Sequence, residues 1–406
     1  MTAAVTPDRA RAARLAVSAV FFVNGAVSAS ILTRTPAIKD GLGLTDGELG
    51  IVLAALPVGG LLAGGFAGLL IARVGSGRLA VATSLALAAM LAVVGIASTW
   101  LTLTLAMLVL GMFDATMDTA MNAHGIGVQR TYGRSILQGF HGVWSVGSLA
   151  AGAVGAVIAG AGVSVAVHFL GLAVVLAAAV LVSARLFLPA SVADGPHADG
   201  GDHAFTLARL PRMLRVLVPI ALLGILCVTL QGSAASWGAV YLSDVLDQPE
   251  GIAALAFVLY MAAMVAGRLT NDRWVDRFGS ETVVRAGALI GVLGIVVVIA
   301  AAPLGQPVLA FAGFAAVGLG SSSMFPVMIG AAGSRPGIPA GHGVALVAWL
   351  VRVGLILQPA VVGAAADQWG LTAAFGIPLV AGIVIALIAP VLSGGRVRLR
   401  HAAPVS

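Results

Sequence analysis

The sequence predicts an all-α membrane protein whose twelve transmembrane helices form two six-helix bundles, and three observations carry that prediction. Hydrophobic residues make up 60% of the 406 and charged residues 9%, for a mean hydropathy of +1.06, far outside the range of soluble globular chains. Apolar windows of about 20 residues, enough to cross hydrocarbon, recur twelve times between Gly, Pro or charged punctuation. The arginines cluster at alternate ends of those windows, as the positive-inside rule requires when every crossing has been counted.

Met1 to Arg14 is polar and basic, and the apolar run behind it is too long for a cleavable signal, so the first helix is expected to stay and to double as the export signal. The windows lie at 15–37, 48–72, 79–99, 101–123, 138–161 and 164–188, then at 215–239, 252–271, 282–302, 307–331, 342–365 and 371–392. With a cytoplasmic N-terminus, Arg9, Arg11, Arg14, Arg73, Arg78, Arg130, Arg134, Arg209, Arg212, Arg215, Arg273, Arg277, Arg335, Arg396, Arg398 and Arg400 all fall on the cytoplasmic side. Only Arg34 and Lys39 fall outside, and a missed span would scramble the alternation, so both termini are expected in the cytoplasm. The formal charge of +6 therefore marks orientation rather than nucleic-acid binding.

The longest polar interruption, Ser191 to Arg212, holds Gly195-Pro196, Gly200-Gly201 and three Asp and reads as a flexible linker. It divides an N-terminal bundle, 1–190, from a C-terminal bundle, 215–406, with 191–214 as cytoplasmic linker and a short basic tail at the end. A shift of about 204 residues lays Arg73-Val74-Gly75-Ser76 on Arg277-Phe278-Gly279-Ser280, and Asp40, Asp46 and Gly47 on Asp244, Glu250 and Gly251, as a parallel internal repeat would. Small residues such as Gly60, Gly64, Gly68 and Gly147, Gly152, Gly155 are placed where helix backbones approach closely.

One stretch breaks the apolar rule. Within Gly111 to Asn122, Asp114, Asp118 and Asn122 stand at i, i+4, i+8 and share one face of the fourth helix. An acid at a helix centre costs roughly 2.5 to 3.5 kcal/mol on insertion scales, so two demand a reason. The repeat does not supply it, because the matching positions are Gly318 and Ser322. Two carboxylates one turn apart are expected to titrate as a coupled unit, which suits a proton carrier, with Asp118 preferred because Asn122 stands one turn further to orient it. His141, near the cytoplasmic end of the fifth helix, is a candidate for proton relay or for a plain hydrogen bond. Arg352 reads as the single basic residue near mid-depth and needs an aspartate, a solute anion or water. His168 is expected at the membrane interface, and the lone Cys227 as a small core residue. Metal clusters, phosphate loops and nucleophile constellations do not occur, so neither an enzyme nor a cofactor is expected, with protons as the coupling ion.

Twelve helices in two halves, with a basic loop between the second and third helix of each, resemble the major facilitator superfamily. The carrying residues are Gly267-Arg268, Asp272-Arg273, Asp276-Arg277 and Gly279 in the second half and Arg73, Gly75 and Arg78 in the first, where Ala72 replaces the acid that matches Asp276. Asp118 to Asn122 and Gly139-Phe140-His141-Gly142-Val143-Trp144-Ser145-Val146-Gly147 are similar to the fucose-permease-like, sugar:proton symporter-like branch of bacterial inner-membrane transporters. The helix 4 Arg and helix 5 Gly-Pro pair of drug:proton antiporters are absent, and Asn24 stands where the fucose-type symporters carry a helix 1 acid.

The resemblance implies that helices 1, 4, 7 and 10 line a central cavity with 2, 5, 8 and 11 beside them. It then implies solute contacts from Asn24, Asn122, Gln138, Trp144, Ser145, Gln231, Trp237, Tyr241, Trp349 and Arg352, proton coupling at Asp118, Asp114 and His141, and gating by Arg73, Arg78, Asp272, Arg273, Asp276 and Arg277. Amides, hydroxyls and aromatic rings suit a polar organic solute. The expectation is a monomeric inner-membrane symporter for a small molecule, working by alternating access in the bilayer. Proton-coupled efflux of a drug or natural product is the first rival, and a non-transporting receptor the second.

Overall fold

The computed structural model describes residues 6–194, 210–336, 338 and 340–395. Its spans are α1 (Pro7–Thr33), α2 (Asp46–Gly64), α3 (Ser76–Gly95), α4 (Trp100–Tyr132), α5 (Leu137–Gly160), α6 (Val165–Ala184), α7 (Leu210–Asp244), α8 (Glu250–Phe278), α9 (Ser280–Leu304), α10 (Pro307–Gly333), α11 (Ala340–Trp369) and α12 (Leu371–Leu392). Twelve crossings return the chain to the side where it began. We call that side the terminal face and the opposite one the far face.

Hydropathy located every span and misplaced many ends, because it reports only the part that sits in hydrocarbon. The helix itself runs on until a cap or a left-handed residue stops it. Thus α4 starts where the Thr99 hydroxyl accepts from the backbone N–H of Thr102 at 3.2 Å, and continues beyond the 101–123 window to Gly133, whose φ is +71°. Conversely, the 48–72 window is interrupted at Gly65–Phe66 and resumes as Ala67–Val74, and α10 is broken between Ser321 and Met324. The 191–214 stretch forms a short helix, Ala190–Ala193, at its start, while α7 already begins at Leu210; 195–209 lies outside the described residues.

Gly75 and Gly279 have φ of +88° and +82°, a conformation that favours glycine, and each is followed by a helix that starts at Ser76 or Ser280. The offset seen in the sequence is therefore repeated in the backbone. In the first copy the Asp194 carboxylate accepts from the Ser76 N–H at 2.9 Å, capping α3 from beyond α6. His124 braces the same corner. The Leu188 N–H donates to its Nε2 at 3.3 Å, so Nδ1 carries the hydrogen toward the Ser76 hydroxyl, 2.9 Å away.

Packing within the first six spans is closest between α1 and α5 and between α2 and α4; within the last six it is closest between α9 and α10. Contacts between the two sets run chiefly through α2 with α11 and α5 with α8. His168, one turn from the far-face end of α6, is buried among the helices, its ring near Gly155 and beside Phe169. A small neighbour, Gly155, opens that space.

Candidate functional site

The far face is sealed by groups that bridge the first six spans to the last six. Lys39, in the short helix Thr35–Leu42, donates to Asp46 at 2.6 Å and to Asp244 at the end of α7. Arg34 is 1% exposed, pairs with Glu250 at the start of α8 at 2.6 Å and donates to the Val163 carbonyl at 2.7 Å. The Thr45 hydroxyl donates to Asp367 at the end of α11 at 3.0 Å. Burial works against charge on Lys39, but its hydrogen bonds to Asp244 and Asp46 outweigh that and hold its pKa above the ordinary value. Burial, with Asp244 nearby, pushes the Asp40 carboxyl up. The two cations that broke the positive-inside pattern are thus the bolts of this seal.

Below it lies a polar chain from three helices. The Trp144 indole N–H in α5 donates to Asn24 Oδ1 in α1 at 2.8 Å, and Asn24 Nδ2 donates to Asp114 Oδ1 in α4 at 2.7 Å. Asn24 is buried, so the two bonds fix its amide orientation. Asp118, one turn along α4, is exposed and accepts from Asn122 Nδ2 at 3.0 Å. It attracts His141 and Arg352 electrostatically and repels Asp114. His141 is exposed, with its ring edge-on to Phe21 in α1, and Gln138 is exposed on the same face of α5.

Counted at 1.5 Å per residue from the far-face ends of their helices, Asp118, His141, Arg352 and Arg268 all lie about 26 to 29 Å deep. Arg268 falls inside the 252–271 window, although the resemblance counts it with the loop signature; it stands within α8 and donates to the Ser145 hydroxyl at 3.4 Å. Arg352 is therefore not the lone arginine at that depth. It lies against Gly64 of α2, where a Cβ would come within 2.9 Å of Nη1, so the glycine admits the guanidinium. The hydrogen bonds and ion pairs that link the two sets of spans, among the described residues, all lie between the far face and this layer. Toward the terminal face no such link joins the two sets among the described residues, and Asp118, Gln138 and His141 are exposed; we take the space between the sets on this side as a cleft.

Two sequence candidates fall elsewhere. Tyr241 is fully buried within the last six spans, donating to the Val298 carbonyl at 2.7 Å between the Phe314 and Phe375 rings. Trp237 is likewise fully buried, its ring against Gly363 near the seal. Both are large enough to fill a helix junction, and packing claimed them. Gln231 donates to the Ser321 carbonyl at 3.0 Å, satisfying an acceptor freed by the break in α10. Ser145 is 5% exposed and Trp349 54% exposed. Arg73, Arg78, Asp272, Arg273, Asp276 and Arg277 are exposed at the terminal face, and none forms an ion pair within 4.0 Å among the described residues. No group of three or more His, Cys, Asp or Glu among the described residues could hold a metal ion.

Comparison with known proteins agrees with this architecture. The sequence model of the Major Facilitator Superfamily matches residues 17–337. An uncharacterized transporter, y4wD, of Sinorhizobium fredii is 31% identical over 93% of this chain and 97% of its own length. An uncharacterized MFS-type transporter of Yersinia pestis is 29% identical over 84% of this chain and 85% of its own. In the crystal structure of a mutant of the nucleoside transporter NupG the backbone is similar with a TM-score of 0.76 and 15% identity, over 93% of this chain and 99% of that one.

Proposed function

The chain belongs to the major facilitator superfamily, is a multi-pass membrane protein and a secondary transporter, and on that premise we propose that it carries a small polar organic solute by proton-coupled symport. The terminal face is taken as cytoplasmic, in a bacterial-type inner membrane, from the arginine distribution. In that orientation the seal of Lys39, Arg34 and Thr45 closes the outer side, and the open cleft faces inward.

The observation that carries the reading is the chain Trp144–Asn24–Asp114 beside the exposed Asp118. Asp114 is held under the sealed half by a buried amide, whereas Asp118 opens to the cleft. A proton on Asp118 would remove the charge that attracts Arg352 from the other set of spans and His141 from its own, so loading the acid and weakening the attraction across the cleft are one event. The solute then needs only to change the proton affinity of the pair for the two flows to be linked. Asn24 stands in α1 where the fucose-type symporters carry an acid, so this chain departs from them and leaves both carboxylates on α4.

The test is transport in proteoliposomes. A thermal-shift screen of metabolites on purified protein supplies the solute, counterflow establishes exchange, and an imposed pH gradient should drive accumulation. Right-side-out and inverted vesicles decide the direction, and accumulation only in inverted vesicles would replace symport by efflux. A solute that binds but never exchanges would favour a receptor instead.

A further inference from the structure

Among the described residues, the charge on Arg268 has no anion to answer it. Its hydrogen bond is the long one to Ser145, and its Nε is buried without a partner. Among the groups it acts on electrostatically are His141 and the neutral Cys227 and Tyr260, none of them an anion. Arg352, at the same depth, has Asp118. Other enclosed arginines are answered too: Arg34 by Glu250 and the Val163 carbonyl, Arg9 by the Phe187 carbonyl, Arg130 by the Ala193 carbonyl. Asp272 is one turn further along α8 but is exposed and makes no ion pair with Arg268 within 4.0 Å. Helical side chains lean toward the helix N-terminus, so Arg268 leans deeper into the membrane and away from Asp272.

An arginine at this depth needs a counter-charge or water. Resting on the reading of the chain as a solute transporter, we propose that Arg268, with Ser145 and His141, forms an anion subsite at the junction of α5 and α8, and that the transported solute carries a carboxylate or phosphate group. The guanidinium offers that group a planar pair of donors, the hydroxyl and imidazole supply single hydrogen bonds, and the remainder of the solute lies toward Asn122 and Gln138. Arg352 stays the counter-charge of Asp118.

Gly142 provides the probe position. It is exposed on the α5 face shared by Gln138, His141 and Ser145, and a Cβ there meets nothing within 4 Å. In a Cys227→Ala background, a Gly142→Cys thiol is reacted with an anionic sulfonatoethyl methanethiosulfonate and with its cationic trimethylammonium counterpart. The anionic reagent should react faster, and Arg268→Gln should lower the anionic-to-cationic rate ratio about tenfold, with Arg268→Lys restoring it. A ratio unchanged within about twofold by Arg268→Gln would overturn the subsite. Should Arg268→Gln fail to fold, the parent alone decides: about 0.1 M phosphate or acetate should slow the anionic reagent more than the same ionic strength of chloride, the two salts separating phosphate from carboxylate preference, and no slowing by either overturns it. A neutral solute that exchanges across the membrane and binds Arg268→Gln as it binds the parent would overturn the anionic class while leaving transport standing. Absence of all exchange would remove the transport reading, with the charge selectivity at the introduced thiol still judged by itself.

Discussion

Replacing Lys39 by Ala should unbolt the outer side. Lys39 bridges Asp46 and Asp244, and its side chain is only 13% exposed against 17% and 26% for the two acids. Opening this side breaks the arm to Asp244 but not the arm to Asp46, since Lys39 and Asp46 belong to the same set of spans. A charge-assisted bond contributes roughly 1.5 to 3 kcal/mol, which solvent at the quarter-exposed Asp244 reduces to about 1 to 2. That is a shift of about 5- to 30-fold in the closed-to-open ratio. The reporter is a Ser28→Cys thiol in a Cys227→Ala background, labelled by an impermeant maleimide from outside in right-side-out vesicles. Lys39→Ala should raise the labelling rate by that factor, and Asp244→Asn should do nearly the same. The pH dependence comes from the raised pKa of Lys39: its contribution is complete below the ordinary 10.5 and is lost only as pH rises through the higher folded value. The ratio of variant to parent rates should therefore be flat from about pH 6 to 9. An unchanged labelling rate in a folded Lys39→Ala protein, or a ratio that collapses inside that range, would refute the bolt.

Asp118→Asn should keep solute binding and counterflow yet abolish accumulation driven by a pH gradient, and Asp114→Asn in the same proteoliposomes measures how much of the coupling is shared; if both still concentrate solute as the parent does, the acids are structural. Asn24→Ala strips partners from both the Trp144 indole and Asp114 and should lower stability by about 2 to 4 kcal/mol, seen as a lower melting temperature in detergent. Asp194→Ala removes the cap of α3 and should cost about 1 kcal/mol by the same measurement. An Ala198→Cys thiol should escape an impermeant reagent in intact cells, and labelling there would reverse the proposed orientation.

The number and order of the spans were legible in the sequence because hydrocarbon imposes a length and a polarity on every crossing, and those show residue by residue. The cost of an intramembrane charge made Asp114 and Asp118 visible for the same reason. The i, i+4 spacing could place them on one face but not say that Asn24 and Trp144, from two other helices, would complete the chain to Asp114. Arg34 and Lys39 were visible only as exceptions to a rule, and their acids, Glu250 and Asp244, stand more than two hundred residues along the chain. Tyr241 and Trp237 had the composition of cavity residues and became core, because whether a ring faces a cleft or a helix junction depends on rotation about the helix axis, which nearly uniform hydrophobicity does not encode. Arg268 lay inside the eighth window, but its place beside the charged run of the loop signature hid its depth, and only the packing of α8 on α5 brings the guanidinium to Ser145. Local chemistry thus determined what crosses the membrane, and only the packing of distant helices decided which polar groups meet inside it.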